Sequence, residues 1–158
     1  LRDAAYAVQG QGLSWCPHVD GWLLPDTTDA QAESGAIHDI ATMIGSTGDD
    51  IGGAELLQGA GARWCENQLK LGRRPAYLYF FDRKLPGDQA GAFHSSELWY
   101  EFETLSRGWR PWEEHDWELA GELSAYWANF VKTGDPNGPG LPPWHPYAGE
   151  HKEALVLQ

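Results

Sequence analysis

The apolar and polar positions fall into a repeating order of short runs and one long periodic stretch. Ile40-Ala41-Thr42-Met43-Ile44 is an apolar run that meets Gly45, which reads as a buried parallel strand. Ala76-Tyr77-Leu78-Tyr79-Phe80-Phe81 is a second such run, rich in aromatic residues. Between them, residues 51–75 open with Ile51-Gly52-Gly53 and offer a short helix over 62–71. From 113 to 133 the period changes to that of a helix, with Trp117, Ala120, Leu123, Trp127, Phe130 and Val131 as its apolar stripe. Glu113, Glu114 and Asp116 occupy the first turn and oppose the helix dipole. Gly134 is placed as a C-terminal cap, and Asp135-Pro136-Asn137-Gly138 turns the chain. Residues 154–157 suggest a last strand. Strands alternating with helices predict an α/β fold, a mostly parallel sheet flanked by helices.

Composition narrows the function classes. Hydrophobic residues make up 42% of the 158, and no apolar run approaches the ~20 residues of a membrane helix. The formal net charge of −12 repels phosphate backbones, so neither nucleic acid nor membrane is an expected partner. The two cysteines, Cys16 and Cys65, permit one disulfide or two buried thiols. Of the nine tryptophans, Trp117 and Trp127 fit the buried helix stripe, which makes core packing the default reading over carbohydrate binding. His18, His38, His115, His145 and His151 read as structural or solvated, and no cluster with metal-ligand spacing accompanies them.

The chemistry concentrates on two loops. Ile44-Gly45-Ser46-Thr47-Gly48-Asp49-Asp50 places an acid after the first strand. Gly91-Ala92-Phe93-His94-Ser95-Ser96-Glu97-Leu98 places a histidine after the second, between small residues that leave room for a turn. A histidine alone is more often structural or surface-exposed than catalytic, and a Gly-rich turn is a substantial minority reading of Asp49-Asp50. The order strand, acid loop, strand, histidine loop is what gives them meaning, because it is the second half of a nucleophile–acid–histidine triad. No Gly-x-Ser-x-Gly occurs in the chain.

Both loops resemble those of the type-B carboxylesterases, the family of para-nitrobenzyl esterases and cholinesterases. Val19-Asp20-Gly21-Trp22-Leu23-Leu24-Pro25 is similar to the family's segment before the acid strand, and Tyr126-Trp127-Ala128-Asn129-Phe130-Val131-Lys132-Thr133-Gly134-Asp135-Pro136-Asn137, with Trp144 and Tyr147, resembles its C-terminal helix and turn. The resemblance implies that residues 1–158 are the C-terminal part of one α/β-hydrolase catalytic domain. It implies His94 as general base and acid, Asp50 as the acid that orients it, where the family carries Glu, and Asp49 as the adjacent competitor. Glu97 is similar to the family's buried acid after the histidine and would support the pair from behind. Phe93 and Trp99 are candidate walls of a substrate pocket, with Trp109 and Trp112 nearby.

The implied reaction is hydrolysis of a small-molecule carboxylic ester through an acyl-enzyme, with no metal or organic cofactor. The serine would lie on preceding sequence, so the N-terminal half of the same enzyme is the expected partner. Without it, the later strands would leave an apolar edge uncovered. The alternative is a cholinesterase-like domain that binds a protein partner and has lost catalysis. Asp50 and His94 stand 44 positions apart, closer than in the family, so 51–75 reads as a shortened lid.

Overall fold

The computed structural model describes residues 17–158. Cys16 lies outside the described residues, and Cys65 is a buried free thiol. The chain comprises two compact units, 1–38 and 39–158. In the first unit, the Asp20 carboxylate accepts from the backbone N–H groups of Trp22, Leu23 and Leu24 at 2.9, 2.9 and 3.0 Å, which turns the Val19 to Pro25 segment. Helix α1 (Thr28–Ser34) follows, started by the Thr27 hydroxyl on Ala30 N–H and closed by Gly35.

The second unit is a parallel sheet of order β1-β2-β3, with β1 Met43–Thr47, β2 Tyr77–Phe81 and β3 Leu155–Leu157. Met43 pairs with Tyr77 and Phe81 with Leu157. The first strand begins three residues later than the apolar run suggests and continues through Gly45. Gly45 does not end the strand because it is needed inside it: a Cβ there would come within 2.4 Å of the Tyr79 ring and carbonyl on β2.

Helix α2 (Ala54–Lys70) connects β1 to β2. It is longer than the 62–71 expected, and the region read as a shortened lid is largely this crossover helix. Gly59 and Gly61 hid its first half in the sequence, since glycine is a poor helix former. Gly61 faces β2, where an added Cβ would press on Leu78 at 2.9 Å. Cys65, Ala76, Leu78 and Tyr147 close this face, and Gln58 donates to the Tyr79 carbonyl at 2.9 Å.

The opposite face carries Tyr77, Tyr79 and Phe81 under α3 (Leu98–Glu101), a 3₁₀ turn (Leu105–Arg107) and α4 (Glu114–Thr133). Alternation along β2 therefore sends its aromatic residues one way and Leu78 the other. Helix α4 buries Leu119, Ala120, Leu123 and Tyr126. Trp117 and Val131, placed in the stripe by spacing, are exposed. At ~100° per residue, Trp117 lies about 120° from Leu123 and Val131 about 80°, on the shoulder of the buried face. The C-terminal turn is assembled around Trp144, which stacks edge-on against Tyr77 and Tyr126 at 5.8 and 5.3 Å. Asn137 fixes it with two bonds, accepting from Trp144 N–H at 2.8 Å and donating to its carbonyl at 2.9 Å. Among the described residues no helix is long and apolar enough to cross a membrane.

One buried charge joins the layers. Asp116 on α4 is fully buried, and its carboxylate accepts from Arg83 Nε at 2.8 Å, Tyr100 OH at 2.7 Å and Glu113 N–H at 2.8 Å. It is a structural anchor rather than a surface charge answering the helix dipole.

Candidate active site

The two loops leave the same end of the sheet, the carboxyl ends of β1 and β2, where open α/β sheets bind their ligands. Pairing continues past the strands. Gly48 N–H donates to the Phe81 carbonyl at 2.8 Å, Asp49 N–H to Ala92 at 2.9 Å, and Asp49 bridges Phe93. The Asp49 carboxylate accepts from Ala92 N–H at 2.8 Å and from Lys84 Nζ at 2.9 Å. Gly91 lies against it, and a Cβ there would be 2.1 Å from Oδ2, so only glycine fits. Asp49 thus ties the loops together, and the Lys84 bond holds its carboxyl below the usual carboxylate range.

Asp50 faces the other way. Its Oδ1 lies 2.6 Å from Nδ1 of His94. Oδ1 also accepts from Ile51 N–H at 2.7 Å and Oδ2 from Thr47 N–H at 3.3 Å. The Asp50 side chain is 9% exposed, and that of His94 is 57% exposed. Burial pushes the Asp50 carboxyl up, but its bonds to His94, Thr47 and Ile51 outweigh this and hold it below the usual range. An ionised Asp50 accepting from Nδ1–H leaves Nε2 of His94 free to accept a proton. Ser95, directly after it, takes a left-handed backbone (φ +67), and Ser96 N–H closes the turn on the Phe93 carbonyl at 2.9 Å.

Glu97 sits beside this pair without bonding to the imidazole. Burial pushes its carboxyl up, and the Asp50 charge adds to that. Its Oε2 is buried with no hydrogen-bond partner among the described residues. One helical turn on, Glu101 is pushed up to about 7 by burial and then by the Glu97 charge. Glu101 belongs to neither loop motif, and its spacing of four from Glu97 is the sequence signal that marks it. Phe93 and Trp99 pack edge to face at 5.8 Å, and Trp99 meets Trp112 at 5.7 Å. Among the described residues no group of three or more His, Cys, Asp or Glu is arranged to hold a metal ion.

A parallel sheet covered by helices, with acid and histidine on adjacent loops at its carboxyl end, is the α/β-hydrolase arrangement. The fold is shared over most of the chain with a PNB esterase (TM-score 0.74, 19% identity, 99% of this chain and 43% of that one). It is shared also with the carboxylesterase of Geobacillus stearothermophilus (TM-score 0.70, 24% identity, 96% and 43%). Residues 54–158 match the carboxylesterase family, and the chain belongs to it. Curated relatives include bovine (Bos taurus) carboxylesterase 4A, 37% identical over 84 residues, and human (Homo sapiens) cocaine esterase, 33% identical over 92. The matches cover 49% and 54% of this chain but 15% and 16% of those proteins.

Proposed function

We propose that the chain supplies the base and the acid of a serine carboxylesterase whose nucleophile lies on sequence outside these 158 residues. The observation that carries this is the 2.6 Å contact between His94 Nδ1 and Asp50 Oδ1, at the carboxyl ends of neighbouring parallel strands. The absence of a Gly-x-Ser-x-Gly elbow and the span of 43% of the PNB esterase support the division. The serine oxygen attacks the carbonyl of a small-molecule ester while its proton passes to Nε2 of His94. The imidazolium, held by Asp50, then protonates the leaving alcohol as the carbon–oxygen bond breaks. Water, deprotonated by His94, releases the acid and restores the serine. Nucleophile and base are both side chains, so this route calls for no metal or organic cofactor. Glu97 lies beside the pair as a partly buried acid without a bond to His94, and Phe93 and Trp99 wall the site.

The test uses the N-terminal segment of the same protein. The isolated chain should neither hydrolyse a para-nitrophenyl ester nor take up a serine-directed fluorophosphonate. Combined with that segment it should hydrolyse the ester, with the label on the other polypeptide. His94→Ala should then lower kcat by about 10⁴-fold. An isolated chain that turns over ester and carries the label itself would sink the proposal. An intact protein whose elbow lacks serine, and which hydrolyses nothing, would favour the partner-binding alternative.

A further inference from the structure

The histidine loop is clamped by a cation that belongs to neither the acid loop nor the base loop. The Arg110 guanidinium lies over three aromatic rings, 5.7 Å from Phe93, 5.8 Å from Trp99 and 5.0 Å from Trp109. Its two terminal nitrogens are occupied as well, whereas Nε is buried with no partner among the described residues. Nη1 donates to the Pro86 carbonyl at 2.9 Å and to Asp88 Oδ1 at 2.7 Å, and Nη2 donates to Asp88 Oδ2 at 3.0 Å. The Arg110 side chain is 5% exposed. One group therefore joins the chain leaving β2 (Pro86, Asp88), both flanks of the histidine (Phe93, Trp99) and the approach to α4 (Trp109).

We infer that Arg110 is the positioning residue of the histidine loop, fixing His94 for proton transfer through Phe93 and Trp99; this rests on the reading of His94 as base. His94 itself is more than half exposed, so packing on its own ring does not hold it. The left-handed Ser95 is not a conformation the loop adopts by local preference, so tertiary contacts must impose it. Beside the Asp49 tie to Ala92 and the Ser96 N–H bond to the Phe93 carbonyl, the side chains that flank the turn are Phe93 and Trp99, and both lie under the guanidinium. Orientation within about 1 Å decides turnover, since a displacement of that size far from the reacting atoms costs ~10²-fold. Lysine cannot replace this group. The arrangement needs a planar cation that stacks on rings with its face while its edge makes a two-pronged bond to a carboxylate.

The test is a double-mutant cycle in the full-length enzyme, with active sites counted by fluorophosphonate titration. Arg110→Lys should lower kcat by about 10- to 100-fold with KM for a small ester within about twofold. In an Asp50→Asn background the same change should cost less than about threefold, because a displaced imidazole loses chiefly its charge interaction with Asp50, and Asp50→Asn has already removed that charge. Asp88→Asn retains the cation but weakens its anchor, and should show the same coupling with a smaller loss; it serves if Arg110→Lys does not fold. Wild-type kcat in both variants, or equal fold losses in the wild-type and Asp50→Asn backgrounds, would overturn the inference. If His94→Ala stays active, the base assignment fails first. If His94→Ala is dead and both variants are fully active, only the Arg110 role fails.

Discussion

Replacing Asp50 by Asn removes one charge while changing the side chain's shape very little. The amide has two orientations. With its oxygen toward Ile51 N–H and His94 Nδ1, at 2.7 and 2.6 Å, both short bonds survive and the NH₂ faces Thr47 N–H across the longer 3.3 Å contact. The reverse orientation sets donors against Ile51 and forces His94 into the wrong tautomer. The first is favoured, so the main loss is electrostatic. Two unit charges about 4 Å apart near a protein surface attract by ~4 kcal/mol, and that attraction exists only when His94 is protonated in the transition state. At ~1.36 kcal/mol per decade this predicts a kcat about 10³-fold lower, with KM little changed. Any population of the reversed amide drives the loss toward 10⁴-fold. Asp49→Asn is the control. Its carboxylate serves Lys84 and Ala92 N–H, not the imidazole, so kcat should fall by no more than about tenfold. Steady-state hydrolysis of a para-nitrophenyl ester in the full-length enzyme, corrected for active sites, measures both. If Asp49→Asn proves the more damaging, Asp50 is not the acid and the electrostatic reasoning fails with it.

Two further outcomes concern stability. Asp116→Ala should destabilise the fold by about 3–5 kcal/mol in urea unfolding, because it strands Arg83 and Tyr100 OH at a carboxylate site that is 0% exposed. Glu113→Gln, which loosens the 64% exposed arm of the same network, should cost less than about 1 kcal/mol; equal effects would contradict the burial argument. Glu101 has its carboxyl raised from 4.5 to about 7, so its favourable contribution is complete below about pH 4.5 and is lost as pH rises through 7. Glu101→Gln should therefore match the parent at pH 4 and exceed it by on the order of 1–2 kcal/mol at pH 8, after allowing for partial exposure; a constant difference across that range would refute the raised carboxyl.

What was legible in the sequence was local. The apolar runs gave the strands of the sheet, the period and Gly134 gave α4 to within a residue or so, and small residues around His94 marked its turn. The proximity of His94 to Asp50 was reachable only through strand order, since each sits in an unremarkable turn. What escaped was non-local. Arg83 with Asp116 and Arg110 with Asp88 are pairs 33 and 22 positions apart, and each member taken alone looks like a solvated charge. Gly45 misled because a glycine wanted for its missing side chain resembles one wanted for a turn. Trp117 misled because periodicity locates a helical face but not its width.

The central strand acquires its two neighbours from very different distances along the chain. Met43 meets Tyr77 across 34 positions, most of them in the connecting helix, whereas Tyr79 meets Leu155 across 76. Closing the longer loop costs roughly 0.7 kcal/mol more by chain statistics, and the reward is a strand of three residues. The β1–α2–β2 unit is therefore a local pairing, while the β2–β3 pairing is non-local and encloses the aromatic layer and α4 within its loop. The histidine loop is rooted at Phe81, the residue that Leu157 pairs with, and so the geometry around His94 depends on the sheet contact that spans the longest stretch of chain.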